Sequence, residues 1–191
     1  MQMEVQSPPL GRFLLWISIR PVASAMGESG RVWLPETCLQ DMLQEAERMS
    51  PLETGGVLMG YLGRDVSQVV ITAVIGPGSS ARHERLSFYP DTEYQERKIA
   101  QRYLGSGGTE IYLGDWHTHP GPGVHPGLSR VDRETLTCVA RYAEARVPQP
   151  IMAVLSNTED DSWSIVIWQL VMHRCGPFVT RRPRVLSAII E

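Results

Sequence analysis

The sequence predicts a mixed α/β domain, a central sheet of strands running in both directions with helices against it. Three observations predict it. The runs Val57–Leu62, Val69–Ile75, Ile151–Leu155 and Trp163–Val171 are apolar or β-branched and bounded by turn residues, as strands are. Two other stretches place apolar residues at helical spacing: Leu39, Met42, Leu43, Ala46 and Met49, then Leu136, Val139, Ala140 and Ala143. At 191 residues the chain is long enough for one domain with extensions, and its net charge of −3 and charged fraction of 20% do not point to a nucleic-acid partner.

The first 30 residues form an extension. Phe13–Ile19 is a short apolar run and Ala23-Ser24-Ala25 imitates a signal-peptidase site, but Glu4 precedes the run and Arg20 follows it at once. A run so short cannot span a bilayer, so an added strand or a disordered leader is expected, with Met26 as an alternative start. The main domain is expected over 31–172. Arg31–Leu34 reads as a strand, and Pro35 then opens a helix that Ser50-Pro51 ends.

Gly55 and Gly56 lead into Val57–Leu62, where glycines weaken a strand unless another backbone or a ligand comes close. After Val69–Ile75, residues 81–90 read as irregular, and His83, with no partner in spacing, reads as surface. Asp91 or Thr92 caps a helix to about Leu104, which Gly105–Gly108 breaks. A third helix is expected over Ser129–Arg146. Residues 173–191, with Arg174, Arg181, Arg182 and Arg184, read as a basic tail with a solvated face. Cys38, Cys138 and Cys175 are odd in number and far apart, making neither a zinc knuckle nor a disulfide framework. Cys38 and Cys138 are expected to pack in the core, and a reducing cytoplasm is the natural setting.

The chemistry concentrates in Gly114-Asp115-Trp116-His117-Thr118-His119-Pro120, a Gly/Pro-rich loop, and Ser129-Arg130-Val131-Asp132. In a strand, residues two apart share a face, so His117 and His119 converge while Trp116 points to the opposite, core side. Asp132 falls on the first turn of the next helix. Two neutral imidazoles and a carboxylate form the kind of three-ligand set that catalytic zinc uses, leaving a fourth position for water. Ser129-x-x-Asp132 is equally the pattern of a capping box, and the two readings are compatible.

Glu53-Thr54-Gly55-Gly56-Val57-Leu58-Met59-Gly60, then His117-Thr118-His119-Pro120 and Ser129-x-x-Asp132, resembles the JAB/JAMM (MPN-plus) zinc metalloprotease signature. The likeness extends over roughly Arg31–Val171. From Gly114 onward it is most similar to bacterial members encoded beside ubiquitin-transfer-like enzymes, including those of anti-phage and mobile-element operons. The Pro120–Ser129 loop is longer than in the eukaryotic deubiquitinases. The resemblance implies a mostly antiparallel sheet of JAB/MPN, cytidine-deaminase-like architecture. It also implies one Zn²⁺ per chain on His117, His119 and Asp132, Glu53 as general base, and Ser129 as hydrogen-bond donor to the oxyanion. The implied substrate is an isopeptide or peptide bond after the C-terminal tail of a ubiquitin-like or similarly conjugated protein, with E1-like or E2-like operon partners and no membrane.

His125, in the loop, is not needed for this set. Relatives of such enzymes also include inactive MPN-type scaffolds and peptidases acting on ordinary peptides or sulfur-carrier precursors. Other zinc hydrolases fit less well. A barrel amidohydrolase needs about 250 residues, and a zinc deaminase needs His-x-Glu with Pro-Cys-x-x-Cys, which are absent.

Overall fold

A computed structural model describes residues 30–64, 66–121, 127–157, 162–175 and 178–191. The expected role of residues 1–30 and the expected placement of His125 therefore lie almost wholly outside the described residues.

The chain order is β1 (Arg31–Leu34), α1 (Glu36–Met49), β2 (Gly55–Leu62), β3 (Gln68–Ile75), β4 (Arg82–His83), β5 (Phe88–Tyr89) and α2 (Thr92–Gly105). It continues with β6 (Ile111–His119), α3 (Arg130–Arg141), β7 (Ile151–Asn157), β8 (Trp163–Cys175), β9 (Phe178–Val185) and β10 (Ser187–Ile190). Eight strands make one sheet in the order β10-β1-β3-β2-β6-β7-β8-β9, and β4 and β5 pair separately as a small hairpin. The β1–β10, β1–β3 and β6–β7 pairs are parallel; β2–β3, β2–β6, β7–β8 and β8–β9 are antiparallel. The mixed, mostly antiparallel sheet expected from the sequence is the sheet observed.

Helix α1 starts after Pro35, whose fixed φ suits a helix entry, carries Glu36 in its first turn and Arg48 in its last, and buries Cys38, Leu39, Met42 and Ala46. Those four side chains lie on one face and join Leu34, Leu58, Leu113, Trp116 and Ile167 in the main core. The opposite face of the sheet is covered by α2 and α3. It holds two smaller clusters, one of Val57, Met59 and Ile75 with Tyr94 and Ile99 from α2, the other of Leu136 from α3 with Met152, Val154 and Leu170.

Three expectations are corrected. Residues 173–191 are not a tail: they complete β8 and supply β9 and β10, both strands of the sheet. With one residue between them, β9 and β10 place a single segment on β8 at one end and on β1 at the other. The sheet therefore curls until its two edges share one piece of chain. Leu186 is buried there, and its N–H donates to the Ile167 carbonyl at 2.8 Å. Arg184 is no solvated cation either, since its guanidinium donates to the Gln169 side-chain oxygen at 2.8 Å while Gln169 donates to the Val66 carbonyl at 2.8 Å.

Helix α3 ends at Arg141, short of the expected Arg146, because the chain turns extended at the exposed Tyr142 and then makes a separate short 3-10 turn over Ala143–Ala145. Cys138 is exposed on the outer side of α3 and is not a core residue, whereas Cys38 is buried as expected.

Candidate active site

Strand β6 carries the site. Its side chains on the α2/α3 face are Asp115, His117 and His119, and each faces paired neighbours across the ladder. Asp115 lies between Val57 and Met152, His117 between Gly55 and Val154, and His119 beside Ser156. Asp115 and His117 thus form a polar strip between the two small apolar clusters. Gly55 is needed for this approach: a Cβ there would run into the Trp116 carbonyl and stand 3.0 Å from His117 Cβ. Trp116 points the other way into the main core, 1% exposed, with its indole N–H donating to the Ile75 carbonyl at 3.3 Å.

The third group arrives from the first turn of α3. Ser129 caps that helix: its Oγ accepts from the Asp132 N–H at 3.2 Å, and Asp132 Oδ2 accepts from the Ser129 N–H at 2.7 Å. This reciprocal box locks the Asp132 side chain and turns it toward β6. Asp132 Oδ1 lies 3.4 Å from His117 Nε2, Asp132 Oδ2 lies 3.8 Å from His119 Nε2, and the two Nε2 atoms are 3.0 Å apart. The capping and ligand readings of Ser129-x-x-Asp132 therefore coexist geometrically.

The donor set fits a metal ion. Two ligands at ~2.1 Å from a tetrahedral ion stand about 3.4 Å from each other. The three observed separations bracket that value, and these side chains are the group among the described residues able to hold an ion. Electrostatics agrees with a neutral His119 and an ionised Asp132. Burial pushes His119 down, reinforced by the neighbouring His117. Burial opposes the Asp132 charge, but hydrogen bonding and attraction from His117, with the Ser129 donors, outweigh it and hold the carboxyl well below the usual range.

Glu53 stands just before β2, half-buried, and burial raises its carboxyl above the ordinary range; His117 opposes that rise and Asp132 adds to it. Its neighbour Thr54 is fully buried and ties β2 to β6. The Thr54 N–H donates to Thr118 Oγ1 at 3.0 Å, the Thr118 N–H donates to the Thr54 carbonyl at 2.8 Å, and Thr54 Oγ1 donates to Glu45 of α1 at 3.1 Å. Thr118 sits between the two histidines, so this pair fixes the backbone that follows Glu53 relative to them.

Sequence reasoning missed three features here. His83 is not an unpartnered surface residue, because its Nδ1 lies 3.0 Å from the Glu53 carbonyl. The Thr54–Thr118 pair was legible only as small residues next to functional ones. Asp115, beside His117, accepts from the Tyr112 hydroxyl at 2.9 Å; burial pushes its carboxyl up to about 6, with the Tyr112 hydrogen bond pulling the other way.

Comparison with known proteins identifies the family. Residues 35–168 match the Prok-JAB family, prokaryotic homologs of the JAB domain. The chain is 43% identical over 138 residues to "Probable metalloprotease y4qB" of Sinorhizobium fredii, covering 72% of this chain and 82% of that protein. It is 24% identical over 150 residues to a "CD-NTase/cGAS isopeptidase" of Enterobacter hormaechei, covering 78% of this chain and 81% of that one. In fold it is similar to the solution structure of protein DSY2949 from Desulfitobacterium hafniense, with a TM-score of 0.55, 17% identity, and coverage of 84% of this chain and 92% of that chain. With the matched family spanning most of the chain, the protein belongs to the bacterial branch of the JAB/JAMM family.

Proposed function

We propose that the protein is a zinc-dependent hydrolase that cleaves an isopeptide or peptide bond after the C-terminal tail of a ubiquitin-like or similarly conjugated protein. The observation that carries this reading is the convergence of His117, His119 and Asp132 within 4.8 Å of one another, beside the strand β2 that Glu53 shortly precedes. The relatives named metalloprotease and isopeptidase support hydrolysis of a protein amide. Retention of every ligand argues against an inactive scaffold.

His117 Nε2, His119 Nε2 and one Asp132 oxygen would hold the ion. When bound, zinc supplies a Lewis acid that lowers the pKa of water toward ~7. Glu53 takes a proton from the attacking water and returns it to the departing amine nitrogen, which leaves poorly unless protonated. Ser129 Oγ accepts from the Asp132 N–H, so its own O–H stays available to donate to the oxyanion of the tetrahedral carbon. Ser129 is exposed at the helix entrance, where such a group is reachable. An extended tail suits a narrow path along a strand edge. E1-like or E2-like operon partners and a cytoplasmic setting belong to the same reading; among the described residues no helix is long and apolar enough to cross a membrane.

The test is zinc content per chain in wild type and His119→Ala, then cleavage of ubiquitin-like fusions by wild type and Glu53→Gln. One zinc in wild type, lost in His119→Ala, with cleavage lost but zinc kept in Glu53→Gln, is the expected result. Absence of zinc in chelator-free wild-type protein would overturn it.

A further inference from the structure

Glu53 lies outside the sheet ladder, since β2 begins at Gly55. No strand pairing sets its backbone. Its two peptide planes are held instead by other means. The plane before Glu53 offers its N–H, which donates to the Glu84 carbonyl at 2.7 Å. The plane after it offers the Glu53 carbonyl, which faces His83 Nδ1 at 3.0 Å, and the Thr54 N–H, which donates to Thr118 Oγ1 at 3.0 Å. A residue has two soft backbone dihedrals, and fixing the planes on both sides fixes both. The Cα–Cβ direction of Glu53 follows from them.

Two of these three restraints come from the β4–β5 hairpin. That hairpin is short, but it is braced. Arg82 pairs with Tyr89 and lies over its ring at 4.6 Å, and His83 pairs with Phe88 with ring centroids 5.3 Å apart. Its turn is closed by the Glu84 N–H donating to the Ser87 carbonyl at 2.9 Å and by the Ser87 hydroxyl donating to the Glu84 carboxylate at 2.8 Å. The Phe88 ring holds the imidazole in place, and a carbonyl oxygen only accepts, so His83 Nδ1 must carry the hydrogen.

We infer that His83 is a positioning residue for Glu53: its Nδ1–H and the adjacent Glu84 carbonyl together aim the Glu53 carboxylate at the metal centre. The inference rests on the reading of Glu53 as the proton-transfer group. It gives the hairpin a role in the chemistry although none of its side chains belongs to the ligand set.

The experiment is NMR on the full chain carrying one equivalent of zinc, as wild type, His83→Leu and His83→Asn. The asparagine amide nitrogen occupies the position of Nδ1 and restores the donor, whereas leucine removes it. In wild type, the His83 ring nitrogens should show hydrogen on Nδ1 and none on Nε2 in the neutral ring. In His83→Leu, amide exchange at Glu53 should quicken roughly five- to tenfold, the loss of about one hydrogen bond, and the Glu53 carboxyl carbon resonance should move. His83→Asn should return both toward wild type, with zinc content equal in all three. A neutral His83 with hydrogen on Nε2, or a His83→Leu protein whose Glu53 signals match wild type, would overturn the inference. Full hydrolytic activity in Glu53→Gln would instead refute the assignment of Glu53 while leaving the tautomer and exchange results standing, so the two failures are told apart.

Discussion

The two faces of the sheet are built differently. The face under α1 is one continuous apolar core, running from Leu34 and Met42 through Leu58 and Leu113 to Ile167 and Leu186. The face under α2 and α3 is two small clusters with Asp115 and His117 between them. Burial of apolar area is the main favourable term in folding, so the α1 face carries most of the stability. The other face gives up continuity, and the gap is where polar groups can meet an ion. Chemistry and cohesion are thus separated by the thickness of one sheet.

That division is testable, beginning with the largest effect. Asp132→Ala removes a proposed ligand and half of the helix cap. Zinc should be lost and hydrolysis should fall to background, with a stability loss of about 1 kcal/mol by urea denaturation. Leu58→Ala, on the α1 face and fully buried, should cost about 2–5 kcal/mol and leave one zinc per folded chain. A Leu58→Ala protein that is folded but holds no zinc would break the division. Leu136→Ala, in the smaller cluster and on the helix that brings Asp132, should cost less stability but weaken zinc binding several-fold, read by competition with a chelator.

The smallest effect is electrostatic and lies on neither core. Asp91 caps α2, and its hydrogen bonds from the Tyr94 and Ser80 N–H groups hold its carboxyl below the usual range. A lowered folded pKa contributes stability above the unfolded pKa, and that contribution is lost as pH falls through the folded value. Asp91→Asn should therefore be less stable than wild type at neutral pH, and the two melting curves should converge as the pH falls below the ordinary carboxylate range.

The sequence disclosed the parts of this design that are local. His117, His119, Ser129 and Asp132 lie within one strand–loop–helix unit, so strand alternation and a capping pattern were enough to bring them together. Helix α1 was legible because its apolar residues repeat at one period over fourteen positions. The β4–β5 hairpin was not, since strands of two residues show no period, and His83 meets a main-chain oxygen thirty residues away. Strand β9 hid for another reason. Arg181, Arg182 and Arg184 break its apolar pattern, and the partner of Arg184 is Gln169 on the neighbouring strand. Contacts set by tertiary approach leave little trace in residue order.

The Thr54–Thr118 pair acts as a register pin. Antiparallel strands can slide past each other, and a slip of two residues preserves which side chains face the core. Such a slip of β2 against β6 would carry Glu53 about 7 Å along the sheet while leaving both apolar faces intact. The buried Thr118 hydroxyl, bonded to both the N–H and the carbonyl of Thr54, and the Thr54 hydroxyl, anchored to Glu45 on α1, stand against that slide. The three proposed ligands sit wholly on β6 and α3, so the slip would not part them. A chain that slipped would still be folded and would keep His117, His119 and Asp132 together, but Glu53, the proposed proton acceptor, would be out of reach.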